Sequence, residues 1–243
     1  GQDGQGVIVA RAPRRSVLSR TTVGKAGVEQ VIAANVDQLL IVFSADQPEF
    51  RERLVDRYFV AAHKGNLEPV LCITKIDLVD PEVFYKRLQV YENLGYRIVI
   101  TSIAMPYGLD ELRAALNGKT SVLSGPSGAG KSSLLNAIQP TLALRIGDIS
   151  KKTGKGGHTT TSARIYSLDF GGRVVDTPGL RELQVWDLLP EEVAECFIEF
   201  KPLLGQCKFR SCKHETEPGC AIRLAVESGA IAPTRYESYL RLI

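Results

Sequence analysis

The chain has 243 residues, 44% of them hydrophobic and 23% charged, which fits a folded globular protein and excludes a disordered one. No apolar run approaches the ~18 residues that cross a bilayer, so no transmembrane segment is expected. A net charge of +3 is too small by itself to mark a nucleic-acid partner.

The chain opens GQDGQG, without Met and without an apolar core. No signal peptide is expected, and the start reads as a boundary with further sequence upstream. DQLLIVFS (37–44) is a short apolar, β-branched run and predicts a buried strand. RLVDRYFVAAHKG (53–65) spaces Leu54, Tyr58 and Ala61 or Ala62 along one helical face and stops at Gly65. PVLCIT (69–74) predicts the next strand, and PEVFYKRLQVYENLG (81–95) starts with Pro and ends with Gly, as helices do. The alternation continues through YRIVIT (96–101), GLDELRAAL (108–116), TSVLS (120–124) and the helix KSSLLNAI (131–138). ARIYSLDF and RVVDT predict a strand pair turning at Gly171 and Gly172. Repeated strand–helix units imply an α/β domain with a mostly parallel sheet covered on both faces. From Pro190 onward a short helical, Cys-containing region replaces the strands, and there is no internal repeat.

The stretch GPSGAGKSS holds the strongest motif. Gly125, Gly130, Lys131 and Ser132 fit G-x-x-x-x-G-K-[ST] between a predicted strand and a predicted helix. Backbone N–H groups from Gly125, Pro126, Ser127, Gly128, Ala129, Gly130, Lys131, Ser132 and Ser133 (proline excepted) are the material of a phosphate cradle, aided by the helix dipole. Lys131 is expected to reach the β- and γ-phosphates, and the Ser132 hydroxyl to ligate Mg²⁺. In DTPG (176–179), Asp176 is expected to hold Mg²⁺ through water, with the Gly179 N–H near the γ-phosphate. Alone that pattern is weak, since Asp and Gly are common in turns.

TKID comprises Thr74, Lys75, Ile76 and Asp77, and it reads as a guanine reader. The Asp77 carboxylate accepts from the N1–H and amine of guanine, a donor pair that adenine lacks. The Lys75 stem packs over the base. Thr74 departs from the commoner Asn and cannot offer both an amide donor and a carbonyl acceptor. Ser102, in TSI (101–103), sits where a backbone N–H meets guanine O6. An ATPase or kinase built on the same phosphate loop is the rival, and it requires Asp77 to be irrelevant.

In an ordinary G domain the phosphate loop precedes the guanine reader, and here it follows. Domain termini often lie close together, so joining them and reopening the chain elsewhere preserves the packing. GLDELRAAL becomes the normally terminal helix, NGKT (117–120) the join, and the new opening falls after DTPG. The order predicts a circularly permuted P-loop GTPase domain.

AANVDQLLIV, TKIDL, GPSGAGKSSLLN, GKGGHTTT, DTPGL and a cysteine cluster together resemble the RsgA/YjeQ family of ribosome-small-subunit-dependent GTPases. The resemblance implies the C-terminal part of a β-barrel OB-fold over 1–34, the permuted GTPase domain over 35–189 and a zinc-binding domain over 190–243. It implies GTP and GDP as ligands, and a cytoplasmic monomer that binds the 30S subunit and 16S rRNA late in its maturation and hydrolyses GTP there. A nucleotide-gated rRNA-binding scaffold with negligible turnover is the alternative.

Cys207, Cys212, His214 and Cys220 give C-x₄-C-x-H-x₅-C, a ligand set suited to tetrahedral Zn²⁺. Disulfides would leave a third Cys unpaired. Cys72 and Cys196 read as small core hydrophobes. Leu180 stands where many G proteins carry a water-orienting Gln. The family places a His in switch I, which His158 matches, either orienting water or merely solvated. One of Thr159, Thr160 and Thr161 is expected on Mg²⁺, and Thr160 is the choice. Arg11, Arg14, Arg15, Arg20, Lys201, Lys208, Arg210 and Lys213 read as solvated charge or, on the resemblance, as rRNA phosphate contacts.

Overall fold

The computed structural model describes residues 9–10, 12–21, 29–144, 164–176 and 189–243. In chain order the elements are β1 (Val17–Thr21), β2 (Glu29–Ala34), β3 (Gln38–Ser44), α1 (Glu52–Lys64), β4 (Glu68–Thr74), α2 (Pro81–Asn93), β5 (Arg97–Ile100) and α3 (Leu109–Leu116). They continue with β6 (Thr120–Ser124), α4 (Lys131–Ile138), β7 (Arg164–Ser167), β8 (Arg173–Asp176), α5 (Pro190–Cys196), α6 (Ala221–Glu227) and α7 (Pro233–Leu240). Strands β1 and β2 pair antiparallel as a separate two-stranded sheet.

The other six strands form one sheet in the order β5-β4-β3-β6-β8-β7, parallel except for the antiparallel β7–β8 pair. Every residue of β3 is buried, as expected for a central strand covered on both faces. Its side chains alternate between two cores. Leu39, Ile41 and Phe43 join the cluster with α1 and α2, whereas Leu40 and Val42 join the cluster with α3 and α4.

Strand β6 leads directly into the predicted phosphate loop and lies mid-sheet, between an earlier strand and a later one. The join that brings α3 into β6 is tied to the start of β3. Thr120 N donates to Asp37 Oδ2 at 2.7 Å, and Asp37 N donates to Thr120 O at 2.8 Å. Chain order is thus permuted while the sheet stays continuous.

Helices α5, α6 and α7 enclose a third core of Val193, Phe197, Phe200, Ile222 and Tyr239, to which Val60 of α1 also belongs. The C-terminal module therefore sits directly on α1.

Candidate nucleotide site and metal cluster

The candidate site gathers at the carboxyl ends of β3, β4, β5 and β6, the edge where open α/β sheets place their ligands. The phosphate loop leaves β6 at Gly125, whose φ of +143° and close approach to β3 leave no room for a side chain. A Cβ there would lie 2.0 Å from the Val42 carbonyl oxygen. The loop enters α4 at Gly130, a left-handed cap at φ +87°. Lys131 is buried, and its ammonium donates to Gly125 O at 2.6 Å and Pro126 O at 2.7 Å, inside the loop. Ser132 is buried on the first turn of α4, while Ser127 and Gly128 are exposed at the loop tip.

Thr74 ends β4 fully enclosed, and its hydroxyl lies 2.7 Å from Ala129 O and 3.3 Å from Phe43 O. A single hydroxyl thus reaches the phosphate loop from the strand that carries the predicted base reader. Lys75 adopts a left-handed backbone at φ 56°, and its ammonium donates to Gly128 O at 3.0 Å and to Gln47 O. Ile76 is buried, and its N–H donates to Thr101 O at 3.3 Å. Asp77 is half-buried and accepts the Ser102 hydroxyl on Oδ1 at 2.5 Å. Ser102 in turn accepts the Met105 N–H at 3.0 Å.

Thr74, Lys75, Asp77, Ser102 and the phosphate loop are therefore brought together, but Ser102 takes part through its hydroxyl: its backbone N–H, expected at guanine O6, donates to Tyr107 O at 3.1 Å. The backbone of Asp176 ends β8 opposite Arg164 on β7. His158, Thr160 and Gly179 lie outside the described residues. The sequence reading missed Gln47, whose carbonyl receives Lys75. No side-chain signal announces a backbone acceptor, although the Asp-Gln-Pro run does mark a turn.

In the C-terminal module the ligand atoms of Cys207, Cys212, His214 and Cys220 all lie within 4.8 Å of one another. His214 Nδ1 is 3.5 Å from Cys207 Sγ and 3.4 Å from Cys220 Sγ, and the two sulfurs are 4.0 Å apart. Ligands at ~2.3 Å for sulfur and ~2.05 Å for nitrogen around a tetrahedral ion give edges of about 3.8 Å for S···S and about 3.6 Å for S···N. The cluster fits a metal ion such as zinc. Its loop is braced by the Tyr236 and Tyr239 hydroxyls, which donate to His214 O and Lys213 O at 2.6 Å each. Desolvation raises the Cys212 and Cys220 thiols and lowers His214, and a bound dication would oppose the thiol shift. All five cysteines are free of disulfides. Burial pushes Cys72 up to about 12 and Cys196 up to about 11, so both are inert core thiols.

A mixed α/β sheet with a glycine-rich strand–loop–helix at its centre, in reordered sequence, defines a circularly permuted P-loop GTPase fold. A family model described as RsgA GTPase matches residues 11–186. The chain is 47% identical over 98% of its length to a small ribosomal subunit biogenesis GTPase RsgA from Sodalis glossinidius, spanning 69% of that relative. It is 46% identical over its whole length to the protein of that name from Pseudomonas aeruginosa, spanning 72% of it. Among solved structures it is similar to YjeQ from Thermotoga maritima, with a TM-score of 0.77, 39% identity and coverage of 99% of this chain and 78% of that one. It is also similar to YloQ, described as a circularly permuted GTPase, with a TM-score of 0.70, 32% identity and coverage of 93% and 77%. The chain belongs to the RsgA GTPase family.

Proposed function

We propose that this GTPase acts as a GTP-dependent switch on the small ribosomal subunit during its late maturation. The observation that carries the nucleotide reading is the convergence of Lys75 and the phosphate loop beside an Asp77 carboxylate held by Ser102. Asp77 selects guanine, Lys75 covers the base, and residues 125–133 cradle the phosphates. Lys131 neutralises charge on the β- and γ-phosphates, while Ser132, Thr160 and Asp176 would hold Mg²⁺, which when bound would supply positive charge to the phosphates. Gly179 senses the γ-phosphate, and His158 orients water in place of the glutamine that Leu180 replaces. Residues 1–34, with the paired β1 and β2, form the end of an OB-fold, 35–189 the GTPase domain and 190–243 a zinc domain. The basic residues of the first and last regions meet 16S rRNA, and the protein works as a cytoplasmic monomer.

GTP turnover measured with and without 30S subunits tests this. Stimulation by the subunit is expected. Turnover that stays near zero on saturating subunits would favour a nucleotide-gated scaffold. His158→Ala should cut stimulated turnover by about 10²-fold, the scale of a lost acid–base or orienting group. GDP affinity should stay within twofold of the parent. Unchanged turnover on saturating subunits removes His158 from the chemistry.

The metal reading has its own check. Cys212→Ser should abolish stoichiometric zinc, read by metal analysis of the purified protein, because three remaining ligands hold the ion far more weakly. GDP affinity should barely change, since the cluster lies in a separate core. The preference of 30S subunits for the GTP state over the GDP state should disappear, as the module that docks on α1 loosens. A variant that keeps its zinc would sink the assignment.

A further inference from the structure

An open cleft of about 790 Å³ runs along the seam between α1, α2 and the C-terminal end of α7. Arg51, Arg53, Arg57, Arg87 and Arg241 line it, against two glutamates, Glu49 and Glu52. Three of the five pair with acids, yet the arginines outnumber the two lining glutamates and leave the cleft with a positive balance. The exposed ones suit phosphate well, since a planar guanidinium fork presents parallel N–H donors.

The cleft floor is fixed. Arg87 donates to Glu52 Oε1 at 2.7 Å and to Phe50 O at 3.0 Å, with its guanidinium 5.1 Å above the Phe50 ring. That pair is internally neutral and holds the base of the site rigid. The rim is different. Among the described residues Arg51 and Arg53 pair with the exposed acids Glu49 and Glu237, at 3.3 and 3.4 Å, and such pairs in water exchange readily for a stronger anion. Arg241 is exposed and makes no ion pair among the described residues. Helix α1 begins in the cleft at Arg51 without any side-chain cap, so its positive end adds to the same field.

We infer that this cleft is a binding site for the phosphate backbone of RNA, threaded between the nucleotide-binding unit and the C-terminal module. The inference rests on the ribosomal partner proposed above and assigns it a location. An extended polyanion fits better than a free nucleotide. The cleft is open, its exposed arginines come from the start of α1 and from the end of α7, and the Phe50 ring is buried beneath Arg87, where no base stacks on it. The loop that brings Glu49, Phe50 and Arg51 to the cleft is also the loop whose Gln47 carbonyl receives Lys75 at the candidate base site. Occupation of the cleft therefore bears on a segment that touches the nucleotide site.

The test uses Arg53→Gln/Arg241→Gln in the full chain, with binding to 30S subunits, to a short duplex RNA and to inorganic pyrophosphate measured across a range of salt. Loss of two phosphate contacts should weaken binding to 30S subunits and to RNA by roughly tenfold or more, and should flatten the log–log salt dependence by about 1.5 to 2. GDP affinity and zinc content should match the parent. If the parent binds 30S subunits and the variant binds with equal affinity and slope, the cleft is not an RNA site and the ribosomal reading stands. If the parent ignores 30S subunits yet binds RNA through these arginines, the ribosomal reading fails and the cleft survives. Binding to neither overturns both, and a variant defect confined to pyrophosphate overturns the cleft as an RNA site in favour of a small anion.

Discussion

Asp77→Asn is expected to weaken GTP and GDP binding by about 10²- to 10⁴-fold, the size of two buried hydrogen-bonding groups left facing the wrong partner. The local geometry gives the sign. The Ser102 hydroxyl donates to Asp77 Oδ1 at 2.5 Å and is itself oriented by the Met105 N–H at 3.0 Å. Oδ1 is thus committed to the protein, and the proposed contact with guanine falls to Oδ2. In the Asn variant Ser102 still needs an acceptor, so it keeps the amide oxygen and leaves the NH₂ group facing guanine. Guanine also presents donors there, and two opposed donors deprived of water cost ~1–3 kcal/mol each. Xanthosine triphosphate presents a carbonyl in place of the amine and should recover most of the lost affinity. Ser102→Ala should cost only about tenfold, because it loosens the carboxylate without changing its chemistry. A titration that finds GTP affinity unchanged in the Asn variant removes Asp77 from the site.

What was legible in the sequence follows from how local each cause is. The phosphate loop and the Cys/His cluster are contiguous, so spacing alone carries them. The strands of the main sheet fall where apolar runs place them, within a residue or two of the expected bounds except for β7, which stops at Ser167 while the expected run ARIYSLDF extends to Phe170. An unbroken apolar run does not say which side chain faces which core, so the split of β3 between its two clusters was not readable. Helix α1 shows the limit more sharply. A single apolar stripe through Leu54, Tyr58 and Ala61 or Ala62 describes a helix covered on one side. The structure buries Val55, Asp56, Tyr58, Phe59, Val60 and Ala62, because the C-terminal module covers a second side. Asp56 belongs to that second side and looks like a solvent residue until its partner is known. That partner is Arg235, 179 residues away. The bond from Thr74 to Ala129 O and the acceptance of Lys75 by Gln47 O end on backbone atoms, which no residue pattern encodes.

Arg235→Ala should destabilise the protein by about 3–5 kcal/mol, the cost of leaving buried charges without their counter-ion. Arg235 is the largest fully buried side chain among the described residues, and Asp56 and Glu199 beside it are 1% and 6% exposed. Its guanidinium donates to Asp56 Oδ1 and grips Glu199 through two bonds of 2.7 and 3.2 Å. The Phe197 ring lies 4.6 Å beneath it, so the charge is also stacked. Asp56 comes from α1 of the sheet unit, while Glu199 and Arg235 come from the C-terminal module, so the triad clamps one to the other. Burial already pushes the Asp56 carboxyl upward, with Arg235 opposing it, so in the variant Asp56 should take up a proton and recover part of the loss. For a chain of this size the remainder corresponds to a fall in Tm of roughly 10 °C, measurable by calorimetry. Arg235→Met/Asp56→Leu/Glu199→Leu should recover much of that loss, because a buried ionic triad replaced by packed apolar side chains is often neutral. The two variants separate stability from signalling. If the triad only holds the module in place, the apolar version should keep the GTP preference on 30S subunits that Cys212→Ser loses. A fall of less than 2 °C in Arg235→Ala would show that the apolar contacts of Val60, Phe197 and Tyr239 hold the module without the clamp.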